Sequence, residues 1–439
     1  MLAVAVNDAG AEAPQSLIPI DELIQGCVAR WWASPTTLPH LGRRYTSAEQ
    51  GAHEARLAKM AEAMGAELER SAASTPAAQR ATQQRFTAEA SDLAQSALGF
   101  EPDELAAMRM DDFADMLLEF ARQARRFDPR LSADDVFQAG RNVMSAGLLQ
   151  LLLGRPIELT PAILAYSLLY PYSDNVLDDP ALSPAAKRAF NQRFRQRLTG
   201  RPLAPADARE AAIDRLVALV EAQYDRARFP RVYASLLAIH AAQSRSLELM
   251  QFGAAPFELD LLGLTFDKGG TSVLADAYLV AGDLSPQVEQ FAFELGAFLQ
   301  FVDDLEDVPA DLAAHRQSVF ALAAQHWRLD ALTSRTLNFG AAVLSRLDQP
   351  GLPAAAGRCR FLQRGLEQAV IQSAGRARRW HSRAYVQELE PQTPFRFAFV
   401  EGLTRRMQRT MARSLPRLEE SLVPAREPRA ARAAAWPAR

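Results

Sequence analysis

The sequence predicts an all-α protein, and three observations carry that expectation. No alternating Val/Ile/Thr runs joined by Asn-Gly or Asp-Gly turns mark strands or hairpins. Apolar residues recur instead at three- and four-residue spacing through long stretches, the signature of helices that bury one face. Pro or Gly punctuates most of the gaps between those stretches.

Taken in order, the periodic segments run through 102–127, 132–154, 160–178, 206–228, 231–252, 256–282, 286–307, 317–347, 352–388 and 394–420. Residues 45–97 are rich in Ala, Gln and Glu with only a thin apolar stripe, so they are expected to pack outside a bundle. Residues 1–17 and 424–439 are poor in large apolar side chains and rich in Ala, Pro and, at the C-terminus, Arg, the composition of disordered tails. The expected organisation is therefore a tail (1–17), an N-terminal helical extension (18–130), a single large helical bundle (131–423) and a second tail (424–439).

The bulk chemistry excludes several classes. A chain of 439 residues can bury a sizeable core, and a formal net charge of −3 does not point to nucleic acid. No run approaches the roughly 18 uninterrupted apolar residues of a membrane span, so no stable membrane insertion is expected. Two widely separated cysteines, Cys27 and Cys359, make neither a disulfide framework nor a metal-ligand spacing, which suits a reducing cytoplasm. The six histidines are scattered and read as structural or surface residues.

Two aspartate clusters stand out. PAILAYSLLYPYSDNVLDDP (161–180) is apolar until Ser173 and then places Asp174, Asp178 and Asp179 together; FAFELGAFLQFVDDLEDVPAD (291–311) does the same with Asp303, Asp304 and Asp307. Within each cluster, one pair stands at i and i+4 and shares a helix face. Each falls at the C-terminal end of its helix, where the macrodipole makes a carboxylate unfavourable by about 0.3–1 kcal/mol. An acidic helix end bathed in solvent is the plain alternative for either cluster alone. Helices as apolar as these should be central, however, and carboxylates facing an interior cavity need cations. All-oxygen donors without His or Cys favour Mg²⁺, or Mn²⁺, over zinc.

At these residues the sequence resembles the class I isoprenoid synthase superfamily, which includes terpene synthases, prenyl diphosphate synthases and squalene/phytoene synthases. Asp174-Asn-Val-Leu-Asp178-Asp179 resembles its first aspartate-rich motif, and GAFLQFVDDLEDV (296–308) its second, including Gln300 three residues before the first Asp. DKGGTSVLADAYLVAG (267–282) is similar to the Lys-bearing helix break near the diphosphate in prenyl synthases. The resemblance covers about 160–390 and implies a bundle of the class I isoprenoid synthase type.

Carried over residue by residue, the resemblance implies three Mg²⁺ ions, two held by Asp174, Asp178 and Asp179 and the third by Asp303 and Asp307, with Asp304 beside them. Lys268, at its Gly-Gly break, is the foremost candidate for diphosphate contact, followed by Arg245, Arg316 and Lys187 or Arg188. Tyr172, Phe298, Phe301, Gln300, Tyr278 and Phe266 are candidates for the substrate pocket, and RARRWHSRAY (376–385) for a lid. The implied activity is ionisation of an allylic prenyl diphosphate followed by cyclisation or rearrangement of the carbocation, and a homodimer is compatible with it. The first motif departs from DDxxD and the second reads DDLED, which leaves a two-substrate prenyltransferase as the enzyme alternative; a noncatalytic helical binding protein is the alternative from another class.

Overall fold

A computed structural model of the chain describes residues 17–70, 76–178, 182–246, 259–348 and 356–422. Among these residues there are eighteen α-helices and no strand. In chain order they are α1 (Ile20–Ala33), α2 (Ser47–Arg70), α3 (Pro76–Leu98), α4 (Pro102–Ala107), α5 (Met110–Phe127) and α6 (Ala133–Leu152). There follow α7 (Pro161–Asp178), α8 (Pro184–Leu198), α9 (Ala208–Gln223), α10 (Pro230–Ser246), α11 (Leu261–Ala281) and α12 (Pro286–Glu306). The last six are α13 (Val308–Ala314), α14 (Val319–Ala324), α15 (Asp330–Leu344), α16 (Ala356–Arg376), α17 (Arg383–Leu389) and α18 (Phe397–Leu422).

Local chemistry starts many of these helices. Ser132, Ser183, Asp207, Asp260, Ser285, Ser318 and Ser382 each accept a backbone N–H in the first turn of the helix that follows. Such caps satisfy donors that no intrahelical carbonyl can reach. Pro184 and Pro286 stand at the first helical position, where a missing N–H costs nothing. The expected segment 102–127 divides into α4 and α5 because Arg109 adopts a left-handed conformation (φ 50) that no helix continues through. The expected 317–347 likewise divides into α14 and α15, and the helix α8 was not anticipated at all.

The core is built around α11 and α12, the most extensively paired helices. α10, α6 and α1 flank α11, while α15 and α16 flank α12, and α7 joins α6 to α9. α1 is integral to this core. Trp31 stacks on Phe301 with centroids 4.4 Å apart and meets Phe266 and Phe339 edge-on, the offset and T-shaped geometries aromatic rings favour. Beside it Cys27 is fully buried, and burial together with the nearby Glu294 pushes its thiol well up, so it stays an inert packing group. α2, by contrast, packs on α3 and α18, with mostly part-exposed residues. Among the described residues no helix is long and apolar enough to cross a membrane.

Candidate functional site

The site begins at the α11–α12 seam. Gly269 and Gly270 do not break α11, which runs unbroken past them; the sequence-based expectation of a helix break at Lys268 is corrected by a packing role. A Cβ on Gly269 would lie 2.5 Å from the Gly296 carbonyl oxygen, one on Gly270 would lie 2.5 Å from the Phe293 ring, and one on Gly296 would overlap the Gly269 carbonyl. Gly269 and Gly296 thus let two backbones touch, and Gly270 makes room for the Phe293 ring. The consequence is positional, since this contact sets Lys268 of α11 beside the acidic end of α12.

That end carries more carboxyl groups than the motif alone suggests. Asp307 is the C-cap of α12, and Asp311 follows one turn on in α13. Burial, opposed by a hydrogen bond from Gln300 (2.8 Å) and by the charge of Lys268, pushes the Asp304 carboxyl up to about 7. Burial also raises Asp307, with further upward pressure from Asp303, Asp311 and Glu306, and raises Asp311 despite the Ser318 hydroxyl bonded to it at 3.0 Å. Carboxyls that raise one another in this way store repulsion that a cation would relieve. Arg141 of α6 reaches Asp303 at 3.2 Å, and Arg376 of α16 pairs with Glu306.

Behind this rim lies a cavity of about 350 Å³ between α6, α7, α8, α10, α11 and α12. Its volume lies within the range of small-molecule sites. Lys268, Gln300 and Asp303 line it, together with Ser173, the neighbour of Asp174. Asp174 and Asp178 stand one turn apart at the C-terminal end of α7, so both motif helices end at the same kind of place; their side chains, and the whole of Asp179, lie outside the described residues.

Other expected residues are placed elsewhere. Phe298 and Phe301 face α1 and α15, not the cavity: Phe301 packs on Trp31, Phe266, Phe320 and Phe339, and Phe298 packs on Phe339. They occupy a different side of α12 from Gln300 and Asp303 because adjacent helix positions are about 100° apart. Tyr172 is buried with its hydroxyl donating to Asp128 at 2.9 Å, and the Tyr278 hydroxyl donates to the buried Glu289. Neither lines the cavity. Arg245 is bound to the buried Asp267 through Nε (2.9 Å) and Nη2, while Arg188 and Arg316 are exposed and off the cavity wall. In the segment expected as a lid, His381 and Tyr385 are buried against α15 through Thr333 (2.8 Å) and Ser334 (2.9 Å), so only Arg376 approaches the acidic end.

Among the residues lining the cavity, sequence reasoning singled out neither Asn142 nor Asp276, and it read His240 as a structural or surface residue. Asp276 is 2 % exposed and accepts from Asn142 Nδ2 at 3.0 Å, and burial pushes its carboxyl up to about 8. His240 points Nε2 at the Asn191 carbonyl (3.1 Å) and is pushed down to about 4 by burial. A signal existed for Asp276: Lys268, Ser272 and Asp276 recur every fourth residue in a largely apolar helix, a polar stripe that suits an interior cavity.

No family model matches the chain. No curated protein matches it either. The fit of a divalent cation therefore rests on the residues themselves. Among the described residues no three His, Cys, Asp or Glu side chains converge on one point. Mg²⁺ does not need such a cage, because it binds one or two carboxylates and completes its octahedron with water and phosphate oxygens. The all-oxygen set Asp303, Asp304 and Asp307, in which burial raises Asp304 and Asp307 and the charge of Asp303 raises both further, fits that mode of binding.

Proposed function

We propose that the chain is a Mg²⁺-dependent class I terpene synthase that ionises an allylic prenyl diphosphate, cyclises or rearranges the carbocation and releases diphosphate. One observation carries this reading: a single cavity has Asp303, Lys268 and Gln300 along its rim and Leu169, Phe194 and Ile239 along its wall. That combination suits a ligand with an anionic head and an apolar tail. Asp303 and Asp307, with Asp174 and Asp178 of the first motif, would hold the metal, which when bound supplies Lewis-acid stabilisation of the leaving diphosphate.

The chain's own residues do the rest. Lys268 brings a positive charge to the rim, where the diphosphate negative charge would grow as the C–O bond breaks. Gln300 orients Asp304 through its amide and so helps shape the acidic end. The apolar wall excludes bulk water around the hydrocarbon chain. We place the protein in the cytoplasm on the same reading.

The test is incubation with Mg²⁺ and allylic diphosphates of increasing length, with products read by mass spectrometry. Release of diphosphate that requires Mg²⁺, with products of unchanged carbon number, is the expected outcome. A lengthened chain would instead identify the two-substrate prenyltransferase favoured by the DDLED motif. Complete inertness, with no rise in melting temperature on adding Mg²⁺ and inorganic diphosphate, would leave the noncatalytic binding protein. Asp303→Ala and Asp174→Ala should each cut Mg²⁺-dependent diphosphate release by at least about a hundredfold, since residues merely supporting metal ligands already cost 10–100-fold. Full retention of activity in both would remove the metal assignment.

A further inference from the structure

The cavity has two chemically different walls. Alongside the apolar residues of α7, α8 and α10, helices α6 and α11 contribute Asn142, Ser145, Ser272 and Asp276. A wall that only enclosed a hydrocarbon chain would be more stable without them, because a buried carboxyl loses its hydration. The polar groups are nevertheless organised. Asn142 Nδ2 donates both to Asp276 Oδ1 (3.0 Å) and to the Ser167 hydroxyl (3.0 Å), and the Ser145 hydroxyl also bonds the Asp276 carboxyl. Lys268, Ser272 and Asp276 lie one turn apart along α11, from the exposed Lys268 at the rim to the buried Asp276 at the floor.

We propose that this polar wall holds a water molecule that captures the carbocation, with Asp276 as its principal hydrogen-bond partner, so that the product is an isoprenoid alcohol rather than a hydrocarbon. The inference rests on the prenyl diphosphate reading above. In the balanced step, the allylic C–O bond breaks and its electron pair leaves with diphosphate. A lone pair of the held water forms the new C–O bond, and the proton lost from the resulting oxonium ends on the diphosphate. Allylic diphosphate and water thus become alcohol and hydrogen diphosphate, without oxidant or reductant.

The chemistry of Asp276 suits this task. Raised to about 8 by burial, it is a neutral acid at neutral pH, able to donate one hydrogen bond and accept another. An ionised carboxylate in its place would collapse onto the cation as an ester.

The experiment is turnover in ¹⁸O-labelled water with Mg²⁺ and an allylic diphosphate, reading diphosphate release and product mass separately and subtracting enzyme-free hydrolysis. The wild-type product is expected to be one alcohol regioisomer carrying the label, since cleavage at P–O would put the label in phosphate instead. Asp276→Leu should keep Mg²⁺-dependent diphosphate release while the alcohol-to-hydrocarbon ratio falls by about tenfold, the scale of one lost hydrogen bond. Asp276→Asn, which keeps shape and polarity, should retain most of the alcohol and covers the case in which the leucine variant does not fold. A wild-type product that is wholly hydrocarbon, or an unchanged ratio in folded Asp276→Leu, would overturn the proposal while leaving the ionisation reading intact. Absence of diphosphate release from the wild type would instead overturn the reading on which it rests.

Discussion

His240 shows how burial alone alters a residue's chemistry. Its ring sits edge-on to Phe194, its Nε2 is bonded to a backbone carbonyl, and its Nδ1 has no partner among the described residues. Desolvation penalises the imidazolium, so the folded pKa falls to about 4 from an ordinary 6.5. The unfolded chain therefore binds the proton more readily than the folded one between those values. The stability this residue contributes is complete above about pH 6.5 and is lost as pH falls through about 4. His240→Gln, which can still donate to the Asn191 carbonyl, should flatten the loss of melting temperature between pH 6.5 and 4, measured by thermal denaturation across that range. Phe301 belongs to the same scale and gives the opposite kind of test. As it packs among aromatic rings and away from the cavity, Phe301→Ala should cost about 3–5 kcal/mol of stability, read by chemical denaturation. Phe301→Leu should leave the product distribution unchanged.

At the scale of elements, the decisive contact is α11 against α12. Helix axes approach this closely only where side chains are absent, and Gly269, Gly270 and Gly296 provide that absence. Gly296→Ala and Gly269→Ala should each destabilise the protein by at least about 1–3 kcal/mol, the usual cost of overpacking, because the obstructing atoms include backbone that has little room to yield. Either change should also separate Lys268 from the acidic end of α12, so diphosphate release should fall further than the melting temperature alone accounts for. If Gly296→Ala left both stability and turnover unchanged, the seam would not be what positions the site.

At the scale of the whole molecule, buried ion pairs tie distant parts of the chain to the central pair. Glu294 of α12 is 1 % exposed and receives Arg30 of α1 at 3.3 Å and Arg346, from the 3-10 turn after α15, at 2.5 Å. Removing the carboxylate strands two guanidinium groups that are only partly exposed. Glu294→Ala should therefore cost about 3–5 kcal/mol, the range for breaking a buried pair, measured by denaturant titration. For the same reason, together with the stacking of Trp31 on Phe301, deleting α1 should prevent the bundle from folding, seen as loss of a cooperative melt. A truncated chain that still melted cooperatively would mean that α1 belongs to a separate outer layer.

What was legible in the sequence follows from interactions that are local along the chain. Helical periodicity, serine and aspartate caps and proline starts act within one or two turns, so the all-α class and the ends of α7 and α12 could be read directly. The carboxylates at those ends were visible because they oppose the macrodipole, a conflict that needs no tertiary knowledge. Which face of a helix meets which neighbour depends on packing between residues hundreds of positions apart. Only the tertiary structure could turn Phe298 toward α15 and Phe301 toward α1 while leaving Gln300 and Asp303 on the cavity, convert an apparent glycine break into a backbone contact, commit Arg245 to Asp267, and place Asp276 of α11 beside Asn142 of α6. The chain alone thus determined the helices and the acidic ends. Long-range close packing, in which each helix can offer only one side to a given partner, decided what those ends enclose.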